Sequence, residues 1–223
     1  MIVNSLNFKN ELKKKFNVNS ICIYNPLNKD EIIKLSKKKR YFNFFNTKYL
    51  KIINIGRLVD QKDHFTFLQS LNYLKNKIKF RALIIGNGIR KTQLVEYINN
   101  NRLGEYVRII NFQTNPFPFI KKSDLMVHTA KFEGLPNVLL EALSLKKHVI
   151  STNCPTGPSE ILLNGKAGDL VKIGDSKEIS KKIISFSKNK SFKKVNYGFK
   201  NLKRFELRKN LDFYLAVVNN FFK

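Results

Sequence analysis

From residue 49 onward the chain alternates between two kinds of segment. Short, mostly apolar runs occupy residues 50–55, 80–85, 107–110, 125–129 and 148–152, with 167–171 a candidate sixth. Between them, apolar residues recur on a helical period over 63–74, where Phe67, Leu68, Leu71 and Leu74 share a face, and the pattern predicts further helices over 90–99 and 175–188. Residues 115–122 read as a turn and short helix. A strand buried on both faces needs no polar alternation, so this pattern predicts an α/β fold: a parallel sheet with helices on both faces. Crossovers between such strands are right-handed, and a ligand sits beyond their carboxyl ends. Before residue 49 the pattern is weaker: a short helix over 8–16, a strand over 20–24 stopped by Asn25-Pro26, and a charged helix over 30–40. The chain closes on a predicted amphipathic helix over 202–222, whose Leu211, Tyr214, Leu215, Val218 and Phe222 are expected to form an apolar patch.

The organising stretch runs from Lys131 to Glu141. Gly134 gives a tight backbone, and Pro136 is read as the first helical position, where a missing N–H costs nothing. The amides of Asn137 to Leu139 are then expected to be the free donors of a helix start, with a partial positive charge behind them. That is a site for phosphate. Glu133 and Glu141 bracket it, and Glu141 falls roughly 7 Å along the helix from Pro136. A carboxylate repels phosphate but accepts from hydroxyls. A diphosphate flanked by polyols, as in a nucleotide sugar, satisfies both demands; a capped helix with two solvated glutamates is the plain alternative.

Composition changes the picture only in part. The 223 residues are enough for an ample core, and 43% are hydrophobic, which excludes a disordered tail. The net charge of +26 invites a nucleic-acid or anionic-membrane reading. Yet only 8 of the 42 basic residues are Arg, so forks for phosphate or guanine are scarce, and abundant Lys, Asn, Ile and Phe fit an A/T-biased coding sequence. Cys22, Cys154, His64, His128 and His148 show no metal spacing. His128 is expected to serve core packing, His148 boundary packing, and His64 either packing or a ligand contact beside Lys62. No leader and no membrane-spanning stretch is read, so the expected location is cytoplasmic, or peripheral at the inner membrane face.

Four further motifs follow strand ends. Gly56-Arg57-Leu58 with Lys62 places two cations after the first core strand. Gly86-Asn87-Gly88 allows close backbone approach, though it lacks the further glycine of a dinucleotide fingerprint. Asn111 and Phe112 follow the third core strand, and Cys154-Pro155-Thr156-Gly157-Pro158-Ser159-Glu160 is a stiff loop leading into a helix. In this order, with Glu133-Gly134-Leu135-Pro136-Asn137 and Glu141 eight positions after Glu133, the set resembles the C-terminal, donor-binding half of family 4 retaining glycosyltransferases, which have the GT-B fold.

The resemblance implies roles. Arg57, Lys62 and Glu133 would be catalytic, the cations offsetting leaving-group charge and Glu133 accepting from the donor sugar. Gly56, Gly86, Gly88, Asn111, Phe112, Gly134, Leu135, Pro136, Asn137, Val138 and Glu141 would bind the nucleotide sugar, Glu141 through the ribose and the backbone at Asn111 and Phe112 facing the base. It implies a UDP-hexose or UDP-N-acetylhexosamine donor, a glycan or lipid-linked acceptor, and neither metal nor other cofactor. It also implies a division into 1–28 as the tail of a shortened N-terminal domain, 29–48 as linker, 49–200 as the Rossmann-like donor domain and 201–223 as a helix packing toward the N-terminal side. A partner chain could then supply the remaining half. The competing readings are an inactive remnant and a basic protein binding nucleic acid or an anionic membrane.

Overall fold

The computed structural model describes residues 1–39 and 42–221. In chain order they form β1 (Ile2–Val3), α1 (Leu6–Phe16), β2 (Ile21–Cys22), α2 (Lys29–Ser36), β3 (Leu50–Ile55), α3 (His64–Asn72), β4 (Phe80–Ile85), α4 (Lys91–Asn100) and β5 (Val107–Ile110). They continue as α5 (Phe117–Lys122), β6 (Leu125–His128), α6 (Asn137–Ser144), β7 (His148–Thr152), α7 (Pro158–Ile161), β8 (Asp169–Val171), α8 (Ser176–Lys188), α9 (Lys193–Asn201) and α10 (Leu207–Phe221). Six strands make one parallel sheet in the order β5-β4-β3-β6-β7-β8. The order runs outward in both directions from β3 and β6, so the switch point lies between their carboxyl ends.

The apolar runs are explained by two cores. Alternate residues of one strand point to opposite faces. Ile52, Ala82, Ile84, Leu125 and Val127 enter a core built with α3, α4 and α8. Their neighbours Ile53, Leu83, Ile85 and Met126 enter a second core with α2, α5 and α6. The face predicted on α3 is buried throughout, with Phe67, Leu68, Leu71 and Leu74 all at 0% exposure.

Departures from the sequence reading have local causes. Pro136 is the cap before α6, at φ −71° and ψ 100°, and the helix starts at Asn137 rather than at Pro136. The charged helix expected over 30–40 stops at Ser36, and Arg40 lies outside the described residues. Ile32 and Phe45, from the segment expected to be a linker, are buried in the second core. The single helix expected over 202–222 is broken: Leu202–Phe205 is a 3₁₀ turn, Glu206 is extended, and α10 follows. The break arises because the Leu27 amide donates to the Phe205 carbonyl at 2.8 Å, drawing that backbone out of helical pairing. Phe222 lies outside the described residues. Two elements had no usable pattern. β1 pairs with β2 over two residues only, and α9 is Lys-rich, packing through Val195 and Gly198. A Cβ at Gly198 would stand 2.8 Å from Leu143 Cδ2, so the glycine lets α9 lie close on α6.

Candidate functional site

The site forms where loops from β3 and β6 meet at the switch point. After β3 the chain passes Gly56-Arg57, makes a 3₁₀ turn over Asp60–Lys62, and enters α3 through Asp63. Asp63 adopts a left-handed φ of 45° and caps α3, accepting from the Thr66 amide at 3.3 Å. His64 is buried, and its Nε2–H donates to the Arg57 carbonyl at 3.1 Å, pinning the loop from behind. Burial pushes the His64 imidazole down to about 4, so it stays neutral.

The β6 loop is stitched to this turn. The Lys131 amide donates to the Gln61 carbonyl at 2.8 Å, Gln61 Nε2 donates to the Phe132 carbonyl at 2.9 Å, and Thr129 Oγ1 donates to the Lys62 carbonyl at 2.9 Å. These bonds bring the Lys62 ammonium onto Glu133 Oε1. Arg57 donates to Gln61 Oε1 at 3.2 Å. On its other side Glu133 Oε1 meets His128 Nε2 at 3.0 Å. The Glu133 side chain is only 8% exposed. Burial alone would raise its carboxyl, but hydrogen bonds from His128 and Lys62 outweigh that and hold it below the usual carboxylate range.

Behind Glu133 stands the 153–158 loop. Thr156 Oγ1 donates to the Glu133 carbonyl. Gly157 has φ +87°, and a Cβ there would lie 2.3 Å from the Gly134 carbonyl, so no side chain fits. Gly134 itself is exposed, while Leu135 and Pro136 turn into the protein interior, leaving their backbone to the site. Beyond them the amides of Asn137 and Val138 head α6. The Leu139 amide, expected to be free, instead donates back to the Pro136 carbonyl at 3.1 Å. Val138 packs partly against the second core, and the Asn137 side chain accepts from Asn25 at 2.9 Å. Glu141 is half-buried on α6, with no hydrogen-bond or ion-pair partner among the described residues; burial raises its carboxyl to about 7.

The glycine pair serves the same wall. A Cβ on Gly86 would fall 1.9 Å from the Gly56 carbonyl, and one on Gly88 would fall 2.4 Å from the Leu58 carbonyl. The β3 and β4 loops therefore lie in contact. Asn111 and Phe112 sit beside them at the end of β5: Asn111 accepts from Lys91 at 2.7 Å, and the Phe112 amide reaches Asn87 Oδ1 at 3.4 Å. Phe112 is 65% exposed.

The reading of His128 as a packing residue is corrected. Its ring is buried in β6, yet both nitrogens face polar partners, Glu133 and Ser151, the latter at 3.1 Å. An apolar strand carrying one histidine five residues before a candidate glutamate was the available signal. His148 follows the expected packing role, stacking on Phe186 at 4.6 Å and meeting Asp169 at 2.8 Å. A cavity of about 560 Å³ opens elsewhere, between Lys29 and the turn joining α9 to α10. It gathers none of these groups.

The sheet order defines a Rossmann-like α/β fold with a cation–carboxylate pair at its switch point. The chain belongs to the glycosyl transferases group 1 family, whose sequence profile matches residues 36–205. An uncharacterized glycosyltransferase of Methanocaldococcus jannaschii is 41% identical over 137 residues, 60% of this chain and 34% of that protein. An N-acetylgalactosaminyltransferase of Campylobacter jejuni, named for a diphospho-undecaprenol acceptor, is 30% identical over 122 residues, covering 55% and 33%. Among solved structures, Staphylococcus aureus TarM with UDP aligns at a TM-score of 0.84 and 20% identity, covering 98% of this chain and 43% of its own. Anabaena HepE with UDP and glucose aligns at 0.84 and 17%, covering 98% and 62%. These structures have the GT-B fold, and this chain matches part of it. The chain spans about a third of the length of the two sequence relatives.

Proposed function

We propose that this chain is the nucleotide-sugar-binding half of a retaining glycosyltransferase, taking a UDP-hexose or UDP-N-acetylhexosamine and serving transfer to a glycan or lipid-linked acceptor. The observation that carries the reading is the meeting of Lys62 and Glu133, from two different loops, at the sheet's switch point. UDP in the TarM and HepE structures and the lipid-linked acceptor in the Campylobacter relative's name support it.

In this reading Lys62 and Arg57 face the diphosphate, together with the Asn137 and Val138 amides at the start of α6. They stabilise the charge that develops as the bond from the anomeric carbon to the diphosphate oxygen breaks. The acceptor oxygen bonds to that carbon on the same face, and its proton leaves with the diphosphate. Glu133 accepts from a sugar hydroxyl, and Glu141, which lacks a partner among the described residues, accepts from the ribose. The backbone at Gly56, Gly86, Gly88, Gly134, Asn111 and Phe112 lines the path of nucleotide and sugar. The acceptor side is assigned to the part of the relatives that this chain does not span, joined in one polypeptide or supplied by a partner chain. A lipid-linked acceptor would place the protein at a membrane surface; among the described residues no helix is long and apolar enough to cross one.

Titration of UDP and a UDP-sugar separates the two carboxylates. Glu141→Ala weakens both ligands, whereas Glu133→Ala removes chiefly the added affinity of the sugar, each by about 1.5–3 kcal/mol. Negligible losses for both ligands in both variants would leave only a capped helix.

A further inference from the structure

Glu133 Oε1 serves two donors at once, Lys62 Nζ and His128 Nε2, the latter at 3.0 Å. A carboxylate only accepts, so Nε2 carries a hydrogen. The other ring nitrogen, Nδ1, lies 3.1 Å from Ser151 Oγ, and that hydroxyl also reaches the Thr152 carbonyl at 3.0 Å. Ser151 has one hydrogen to give. Turned to Nδ1, it leaves the imidazole neutral; turned to Thr152, it accepts from an Nδ1–H and the ring is cationic. The surroundings of His128 thus accommodate both protonation states without moving a heavy atom.

Charge balance decides between them. With Lys62 on Glu133, the buried carboxylate is already paired and a neutral ring suffices. A diphosphate arriving at the site draws Lys62 toward itself. Glu133 would then be a buried charge without its cation, which is costly. We propose that His128 is a positioning residue of the donor site, holding Glu133 in place while Lys62 turns to the diphosphate, and that it takes up a proton from solvent as the donor binds. The inference rests on the donor-site reading above.

The other titratable groups of the site are Glu141, whose carboxyl burial raises to about 7, and the three that stand near His128. His64 on α3 is held neutral by burial, down to about 4. Burial pushes the Cys154 thiol, in the 153–157 loop, up to about 11. In the free protein, bonds from His128 and Lys62 hold Glu133 below the usual carboxylate range against its own burial, and the His128 bond is the one that remains when Lys62 turns away. A proton taken up on binding makes donor affinity fall as pH rises. By linkage, the donor raises proton affinity by the same factor.

Calorimetric titration of a UDP-sugar in buffers of different ionisation enthalpy, across a pH series, reads this directly. A UDP-sugar is the suitable probe because its diphosphate is esterified at both ends and does not titrate near neutrality. The wild-type chain takes up protons, and its affinity falls about fivefold or more across the pH series. His128→Gln keeps an N–H for Glu133 but cannot charge, so it takes up fewer protons than the wild type, and the comparison repeated on a Glu141→Gln background removes the contribution of that carboxyl. Nitrogen NMR of the wild-type ring shows Nε2 protonated in the free protein and both nitrogens protonated with donor, and decides alone if the variant does not fold. Undiminished uptake in His128→Gln, or a bare Nε2 in the free protein, overturns the role of His128. No binding of the UDP-sugar by the wild-type chain overturns the donor-site reading, and with it this proposal.

Discussion

Glu141 shows at the residue scale how burial of one carboxyl bears on stability. It is half-buried without a partner, and burial lifts its carboxyl from about 4.5 to about 7. A proton is therefore bound in the folded chain, but not in the unfolded one, between those pH values. Stability then falls as pH rises through that window, by up to about 3 kcal/mol. Glu141→Gln is expected to match the wild type in denaturant unfolding near pH 5 and to exceed it near pH 8. Equal stability at both pH values would mean that the carboxylate is well solvated.

Among the elements, the four-residue α7 has a reach out of proportion to its length. Glu160 on it accepts from the Leu6 amide at 2.9 Å and Tyr24 Oη at 2.6 Å through one oxygen, and from Ser5 Oγ at 2.6 Å through the other. Its carboxylate sits at the start of α1, where the helix dipole favours an anion. The Arg204 guanidinium donates to the carbonyl of the same residue at 3.2 Å. Three positions upstream, Gly157 presses on the Gly134 loop. One short helix thus joins the first helix, the turn before α10 and the loop that carries Glu133 and Gly134. Glu160→Gln loses the charge and part of its accepting capacity, a cost of about 1–2 kcal/mol. Hydrogen exchange at the Leu6 and Asn7 amides is expected to accelerate by roughly tenfold, with β3 and β4 unaffected. Unchanged protection at α1 would show that β1–β2 pairing alone holds the segment.

For the whole molecule, α10 is the conspicuous surface. Leu211, Phe213, Tyr214 and Leu215 are 41–59% exposed on it, while Val217 and Asn210 face inward. Four such side chains on one helix exceed the scattered apolar residues of an ordinary surface. We expect the isolated chain to associate in a concentration-dependent manner, and Leu211→Ser with Leu215→Ser to reduce that association in sedimentation velocity. A wild-type monomer at all accessible concentrations would remove α10 as a docking face.

The sheet was legible from the chain because β3, β4, β6 and β7 are apolar on two faces at once, which only a strand between two cores requires. Arg57, Lys62, Gly86, Gly88 and Glu133 were legible because they follow those strands, where open α/β sheets present their loops. β1 and α9 were not, since two residues make no period and a Lys-rich helix hides its few buried contacts. Nor was the break at Glu206, which depends on a bond to Leu27 far away in sequence. The partners of His128 lie five residues away in a loop and 23 residues away in β7, and only β6–β7 pairing brings Ser151 to its side. Local pattern determined the elements and the residue types at the strand ends. Which cation meets which carboxylate, and which histidine stands between them, was decided by folding, because those contacts join loops that share no periodicity.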